Sequence, residues 1–226
     1  EKPVKKSYRV KQKKKLFDVS PEEKIKLLKE INQEIKKTKV NIAGCYLTYA
    51  DNITKKLFIN SEGSKIISEI PRVHAMSIIT IQENQRSSQR HGEYGSSGGY
   101  EQVKKWNLLK KIPEEVTALK NVLKKGVKPK AGKQDLIVSP EIAGIMVHES
   151  AGHPTEADRI LGREAAQAGE SFVERDSIGN KIGSPAVTIV DDPTVENSSG
   201  YYLYDDEGVP ARRKYLYYKG RITEFL

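Results

Sequence analysis

Two histidines and one glutamate lie close together in the stretch His148-Glu149-Ser150-Ala151-Gly152-His153. Imidazole is the commonest metal ligand among side chains, and a glutamate held beside it can act as general base toward a water activated by the metal. The chain contains four histidines, and this stretch holds two of them. Hydrolysis at a bound metal ion is therefore the first hypothesis.

The spacing of the two histidines constrains the helix that carries them. In the familiar zinc-peptidase pattern the histidines are four residues apart and lie on one helix face. Five residues on a regular α-helix leave the two side chains about 140° apart around the axis. Both rings reach one ion only if the helix is wound more loosely, as in a π-bulge, or ends between them. Gly152 and Pro154 are compatible with either outcome, because glycine relaxes the backbone and proline disfavours helical geometry at the preceding residue.

The elements that must position this stretch are predicted from capping signals and hydrophobic spacing. A capping box at Ser20-Pro21-Glu22-Glu23 begins a helix that its apolar residues extend to about Lys37, and Ser139 is the predicted N-cap of the histidine-bearing helix. A polar loop rich in Gly and Ser is predicted at 83–99. The other predicted elements are strands at 40–50 and 53–60 joined as a hairpin across Asp51-Asn52, strands at 65–70 and 72–82 separated by Pro71, helices at 99–109 and 114–124, a strand at 135–138, more helix or turn at 155–168, and strands at 186–190, 201–204, 214–219 and 221–226.

The order of these elements predicts an α+β fold. The N-terminal part combines a helix with an antiparallel sheet, and a mixed part follows, in which the histidine-bearing helix precedes β-strands. The predicted organisation is a basic arm at 1–15, an N-terminal α/β domain at 16–124, a linker at 125–134 and a second domain at 135–226.

Composition narrows the class of protein. With 37% hydrophobic and 31% charged residues the chain is typical of a globular protein, its apolar stretches are too short to cross a bilayer, and no apolar signal core is present. The one cysteine, Cys45, excludes an intramolecular disulfide and suits a reducing cytoplasm. We therefore expect a cytoplasmic location with no membrane partner, and we expect Cys45 to be a small buried hydrophobe, with no role at the metal.

The positive charge is concentrated in the basic arm. Residues 1–15 contain eight Lys and Arg residues against one Glu, which gives the arm +7 of the chain's net charge of +9. Basic arms can bind nucleic acid, but no aromatic stacking platform accompanies this one. The pattern favours a solvated extended arm, or a strand whose partner is absent, over a nucleic-acid partner.

Three other polar features have structural interpretations. His74 lies in a strand pattern and is predicted to be structural, whereas His91 lies in the polar loop, where a role near the substrate stays open. The acidic segment 205–210 is predicted to be a hairpin turn, because it lacks the oxygen spacing of a calcium loop.

Four segments together resemble the TldD/PmbA family of metallopeptidases, long described as modulators of DNA gyrase, and in particular its TldD branch. The segments are Val19-Ser20-Pro21-Glu22-Glu23-Lys24, Ser97-Gly98-Gly99-Tyr100-Glu101, the run from Glu141 to His153 followed by Glu156, and Asp191-Asp192-Pro193-Thr194 with the run from Gly200 to Arg213. The resemblance covers nearly the whole chain from about Phe17.

This resemblance implies a zinc-type metallopeptidase that hydrolyses peptides or unfolded protein segments, as a homodimer or as a heterodimer with a PmbA-type paralogue. By their positions in the pattern, His148 and His153 would bind the zinc ion, and Glu149 would be the general base toward metal-activated water. Family members are longer, and their third ligand is a cysteine in a C-terminal half that this chain lacks. We therefore expect 135–226 to be the first half of the catalytic domain and the chain to be inactive alone. Two alternatives stay open: a non-catalytic or incomplete subunit that supports an active partner, and a regulator associated with DNA gyrase.

Overall fold

The computed structural model describes residues 3–163 and 171–226. They form two compact units. Unit 1 contains the chain up to Lys130 together with Val195–Pro210, and unit 2 contains Ala131–Thr194 and Ala211–Leu226. Each unit combines helices with a β-sheet, so the predicted α+β class is confirmed.

A four-stranded sheet forms the centre of unit 1, and its longest strand lies in the middle. The strands are β1 (Lys5–Arg9), β2 (Ile42–Ile59), β3 (Lys65–Glu83) and β4 (Arg86–Ser97). β2 pairs with one edge of β3 in the antiparallel sense. On the other edge, β1 pairs in parallel with the beginning of β3, and β4 pairs antiparallel with the remainder. Part of the predicted basic arm is therefore a strand whose partner is β3.

Helices cover the sheet where β4 pairs with β3. They are α1 (Pro21–Lys37), α2 (Glu101–Lys105) and α3 (Leu108–Lys125), and a 3₁₀ turn at Leu16–Asp18 precedes them. The predicted cap of α1 is confirmed, since the Ser20 hydroxyl accepts a hydrogen bond of 3.2 Å from the Glu23 N–H. The main core cluster between helices and sheet comprises Ile31, Ile35, Ala75, Ile79, Ile81, Tyr94, Leu108, Ile112, Val116 and Leu123.

Burial along β3 changes from one face of the sheet to the other near Pro71. Alternate residues from Ile66 to Ile70 are buried in the first half, and alternate residues from Val73 to Ile81 in the second. Because successive side chains of a strand point to opposite faces, the two halves bury opposite faces. The helices cover the second half, and the segment Val195–Pro210 packs against the first, where Lys56 Nζ lies 2.7 Å from Asp206 Oδ1.

The predicted hairpin at Asp51-Asn52 and the predicted break at Pro71 are both wrong, because β2 and β3 are each continuous. Asp51 stays in the strand, with its carboxylate 2.6 Å from Lys24 Nζ. Pro71 lacks an N–H, and it lies in the gap between the pairing of β1, which ends at Glu69, and that of β4, which begins at Arg72. The missing donor therefore costs the sheet no ladder hydrogen bond on that edge.

Other predictions in unit 1 need correction. The predicted polar loop at 83–99 is mostly β4, because its backbone from Arg86 to Ser97 pairs with β3, and alternate residues from Gly92 to Ser96 are buried. The second predicted helix begins earlier, at Leu108, and includes Pro113 within it, and the first shortens to α2. Cys45 is exposed, contrary to the prediction of a buried hydrophobe, because it lies on β2, at the edge of the sheet.

Unit 2 places short helical segments beside a small antiparallel sheet. The helical segments are α4 (Pro140–Val147), a π-helical turn (His148–Gly152), a 3₁₀ turn (His153–Thr155) and α5 (Ala157–Ile160). The strands are β5 (Ile189–Asp191), β6 (Lys214–Tyr218) and β7 (Arg221–Ile222), with β6 in the middle. The buried cluster of this unit comprises Ala151, Val173, Leu216, Tyr217 and Ile222.

Several predicted elements in the second half of the chain, in unit 2 and in the Val195–Pro210 segment of unit 1, are wrong or shorter. No strand forms at 135–138 or at 201–204, where Tyr204 makes only an isolated bridge with Pro210. That bridge closes the predicted acidic turn. The predicted helix at 155–168 is reduced to α5, and its part at 164–168 lies outside the described residues. No helix in the described residues is long and apolar enough to cross a membrane.

The sheet of unit 1 yields a stability prediction from two isoleucines on neighbouring strands. Ile81 on β3 is fully buried, whereas Ile59 on β2 is 62% exposed. We expect Ile81→Ala to lower the free energy of unfolding of unit 1 by about 2–5 kcal/mol, because it leaves a cavity beneath the helices. Ile59→Ala is the matched control and should change it by no more than about 0.5 kcal/mol. Urea denaturation followed by the fluorescence of Trp106, the one tryptophan, measures both, and equal effects would contradict this description of the core.

Candidate metal centre

The helix that leads into the two histidines begins as the sequence predicts. The Ser139 hydroxyl accepts a hydrogen bond of 3.3 Å from the Ile142 N–H, and Pro140 occupies the first helical position. α4 is strongly apolar, yet none of its eight residues is buried. Its last residue, Val147, is followed directly by His148.

A single π-helical turn joins the two histidines. The His153 N–H donates to the carbonyl oxygen of His148, five residues earlier, which is the hydrogen bond that defines a π-helix. The looser winding considered from the sequence is therefore the outcome that the structure shows. On a regular α-helix the side chains of His148 and His153 would point in different directions, whereas this looser turn brings them to the same side of the helix.

Side chains near Pro154 satisfy the carbonyl groups of this turn. Pro154 has no N–H for the carbonyl of Ser150, four residues earlier, and the Tyr217 hydroxyl from β6 donates to that oxygen at 3.4 Å. The Thr155 hydroxyl is fully buried and lies 2.7 Å and 3.0 Å from the carbonyl oxygens of Ala151 and Gly152. Without these donors the turn would bury unpaired carbonyl groups, which costs free energy.

The π-helical turn has one buried side and one exposed side. Ala151 is fully buried in the cluster that includes Leu216 and Tyr217 of β6. His148 and Glu149 are exposed, and His153 is partly exposed. The packing therefore holds the backbone of the turn while its polar side chains point away from the core.

The three residues that the sequence singles out come together on the exposed side. The imidazole rings of His148 and His153 have centroids 4.4 Å apart, at an interplanar angle of 74°. His153 Nε2 lies 4.0 Å from Glu149 Oε2, and the ligand atoms of all three side chains lie within 4.8 Å of one another. Two imidazole nitrogens and a carboxylate oxygen are donors of the kind that Zn²⁺ binds, so the residues fit such an ion.

A carboxylate and a guanidinium extend this cluster behind His153. Glu156 Oε1 lies 2.8 Å from His153 Nδ1, and the other oxygen of Glu156 accepts from Arg159 Nε. Burial raises the pKa of the Glu156 carboxyl, but hydrogen bonds from Arg159 and His153 outweigh burial and leave that pKa below its ordinary value. Arg159 is a member of this cluster that the sequence pattern alone does not single out. The signal that was available is the spacing of three residues from His153 to Glu156 and again from Glu156 to Arg159.

The other candidate residues lie in unit 1 and are not members of this cluster among the described residues. His74 is half-buried on β3, with Nε2 3.6 Å from Glu93 Oε1. His91 lies on β4, opposite Ile78, and not in a loop. Cys45 is exposed on β2.

A histidine pair with a glutamate on one helical turn is a donor set typical of metallopeptidases. Residues 14–123 of this chain match the family model described as the PmbA/TldA metallopeptidase central domain, and residues 131–226 match the model of the C-terminal domain. The chain is therefore a member of the TldD/PmbA metallopeptidase family.

Similarity to two named metalloproteases supports this membership. The chain is 33% identical over 212 residues to the metalloprotease MJ0996 of Methanocaldococcus jannaschii, an alignment that covers 92% of this chain and 44% of that protein. It is 29% identical over 213 residues to the zinc metalloprotease TldD homolog of Saccharolobus solfataricus, with 91% and 44% covered. The chain therefore spans less than half the length of these relatives.

A solved structure supports the fold. The crystal structure of TldE from Thermococcus kodakarensis matches with a TM-score of 0.64 and 21% identity, covering all of this chain and 49% of that one.

The buried hydroxyl of Thr155 gives a prediction about the π-helical turn. Thr155→Val keeps the shape of the side chain but removes the donor to the carbonyls of Ala151 and Gly152, which we expect to cost about 1–3 kcal/mol of local stability. Amide hydrogen exchange at His153 should become faster by about 5–150-fold, the factor that corresponds to this loss of local stability. Thr155→Ser is the control, because it keeps the hydroxyl. If both variants exchange like the wild type, the hydroxyl does not support the turn.

Proposed function

We propose that this protein is a zinc-type peptidase that hydrolyses peptide bonds in peptides or unfolded protein segments. The proposal depends chiefly on one observation, the convergence of His148, Glu149 and His153 to within 4.8 Å on an exposed π-helical turn. Family membership and the names of the relatives, which are metalloproteases, support the reaction class.

His148 and His153 are the residues that would hold the ion. Their ring centroids already lie 4.4 Å apart, in an edge-to-face arrangement, so we expect side-chain rotation to be enough for both to bind one ion. When bound, a zinc ion supplies Lewis acidity, which polarises the peptide carbonyl and makes a water molecule easier to deprotonate. Zinc is proposed because the donor set suits it and because one relative is named a zinc metalloprotease.

Glu149 is the proposed general base. Its carboxylate reaches within 4.0 Å of His153 Nε2, which places it beside the space that both rings face, and it is exposed. It can therefore take a proton from an attacking water and pass it to the leaving amine without leaving the site. A base must lie within hydrogen-bonding reach of the proton that it removes, and a carboxylate oxygen of Glu149 lies within 4.8 Å of the imidazole nitrogens that would hold the ion.

The donor count favours a second candidate, a subunit that binds metal but does not hydrolyse peptides by itself. Catalytic zinc sites usually have three protein ligands. If Glu149 acts as base, the cluster in the described part of the chain supplies two. Metal binding by the wild-type protein without peptide hydrolysis, together with hydrolysis after addition of a partner subunit, would favour this candidate. Dimerisation, with a second copy or with a PmbA-type paralogue, stays a prediction that sedimentation analysis can check.

A conservative substitution separates the roles of the three residues. Because the chain is expected to be inactive alone, hydrolysis is measured after addition of a partner subunit. We expect Glu149→Gln to keep zinc affinity but to lower the rate of hydrolysis of an unstructured peptide by about 10²–10⁴-fold, because the amide cannot accept the proton. We expect His148→Ala and His153→Ala each to lose tight zinc binding, as measured by isothermal titration calorimetry. Zinc loss in Glu149→Gln would identify Glu149 as a ligand and contradict its role as base.

The control for these variants is His91→Ala, which removes a histidine from β4 of unit 1. It should leave both zinc affinity and hydrolysis unchanged. Peptide hydrolysis that is as fast in the two histidine variants as in the wild type would contradict the proposed function.

A further inference from the structure

We propose that Glu156, held by Arg159, is a positioning residue that sets the tautomer and the ring orientation of His153. In this arrangement the proton of the neutral ring is on Nδ1 and the lone pair is on Nε2, the nitrogen that lies 4.0 Å from Glu149 Oε2. The inference rests on the proposed function, because it assigns Nε2 as the atom of His153 that binds the ion.

The backbone places these side chains next to each other. His153–Thr155 forms a 3₁₀ turn, closed by a 3.2 Å hydrogen bond from the Glu156 N–H to the His153 carbonyl. Side chains three residues apart on a 3₁₀ turn eclipse each other, so the carboxylate of Glu156 lies against the ring of His153. The first turn of α5 then brings Arg159, three residues further on, to the same carboxylate.

The chemistry of the contact determines the tautomer. An ionised carboxylate has lone pairs and no proton to donate, so a hydrogen bond of 2.8 Å between Glu156 Oε1 and His153 Nδ1 requires the proton on Nδ1. The other ring nitrogen of a neutral imidazole then carries the lone pair. That nitrogen, Nε2, is the one that lies 4.0 Å from Glu149.

A competing contact would give the opposite tautomer. Arg159 Nη2 lies 3.5 Å from His153 Nδ1, and a hydrogen bond donated to that nitrogen would move the ring proton to Nε2. The contact is at the upper limit for a hydrogen bond, whereas the contact with Glu156 is short. Arg159 is better placed to bind the second oxygen of Glu156, which leaves the first oxygen aimed at the ring.

Carboxylates behind metal-binding histidines commonly act in this way, and their loss typically costs 10–100-fold in metal affinity. A plain ion pair that only stabilises the turn would instead leave the tautomer of His153 unaffected. The tautomer therefore separates the two interpretations, and it is measured without any metal.

The first experiment records long-range ¹H–¹⁵N correlations of the histidine rings in the metal-free protein at about pH 8, where an ordinary imidazole is neutral. We expect the wild type to show His153 protonated on Nδ1 and Glu156→Ala to show it mainly on Nε2, the form that free histidine prefers. Glu156→Gln should retain part of the Nδ1 form, because its amide oxygen can still accept. Glu174→Ala, which removes an exposed glutamate of the same unit, should match the wild type.

The second experiment measures zinc affinity of the same variants, with an expected loss of about 10–100-fold in Glu156→Ala and a smaller loss in Glu156→Gln. An unchanged tautomer in Glu156→Ala overturns the proposal, as does an equal effect of Glu174→Ala. If circular dichroism shows that Glu156→Ala does not fold, Glu156→Leu and Arg159→Gln take its place. Full Nδ1 protonation of His153 in Glu156→Leu, together with an unchanged tautomer in Arg159→Gln, then overturns the proposal. A tautomer shift in a protein whose wild type binds no zinc would support the role of Glu156 and contradict the proposed function instead.

Discussion

The hydrogen bond from the His153 N–H to the His148 carbonyl is the interaction on which the site depends. It closes a π-helical turn of five residues, so that His148 and His153, five residues apart in sequence, lie one turn apart on the same side of the helix. With the regular i→i−4 pattern the two imidazoles would point in directions about 140° apart, and no ion could contact both. The observed 4.4 Å between the ring centroids is a consequence of this one departure from the α-helix.

The π-helical turn is stable here because neighbouring residues supply the hydrogen bonds and the packing that it lacks by itself. Pro154 and Gly152 disfavour regular helix, and the hydroxyls of Tyr217 and Thr155 supply donors that the backbone lacks. Ala151 packs in the core of unit 2, so the turn cannot rotate to bury its polar side. On the exposed side, the Glu156 carboxylate contacts Nδ1 of the His153 ring. Backbone, core and hydrogen bonds thus act on a single short segment.

Local signals in the sequence predicted which residues come together at the candidate site better than they predicted the fold around them. The residue types and spacing from His148 to His153 indicated a metal site and left two backbone solutions open, of which the structure shows the looser helix. The capping serines were predictable because a cap depends on its nearest neighbours. The pairing of Glu156 with Arg159 was encoded in spacing as well, but it becomes visible only once the 3₁₀ turn and α5 are placed.

The strands were less predictable because their limits depend on partners far away in sequence. Pro71 is normally a strand breaker, and only the gap between β1 and β4 shows why it is tolerated. The polar composition of β4 indicated a loop, since nothing local shows that β3 lies beside it.

X-ray absorption spectroscopy at the zinc edge of the metal-loaded protein shows whether His148 and His153 bind one ion together. We expect two imidazole nitrogens at about 2.0–2.1 Å from the ion in the wild type, and no spectrum of protein-bound zinc with two imidazoles in His153→Ala, which loses tight zinc binding. A single imidazole in the wild-type spectrum, or a spectrum unchanged by that substitution, would contradict this expectation.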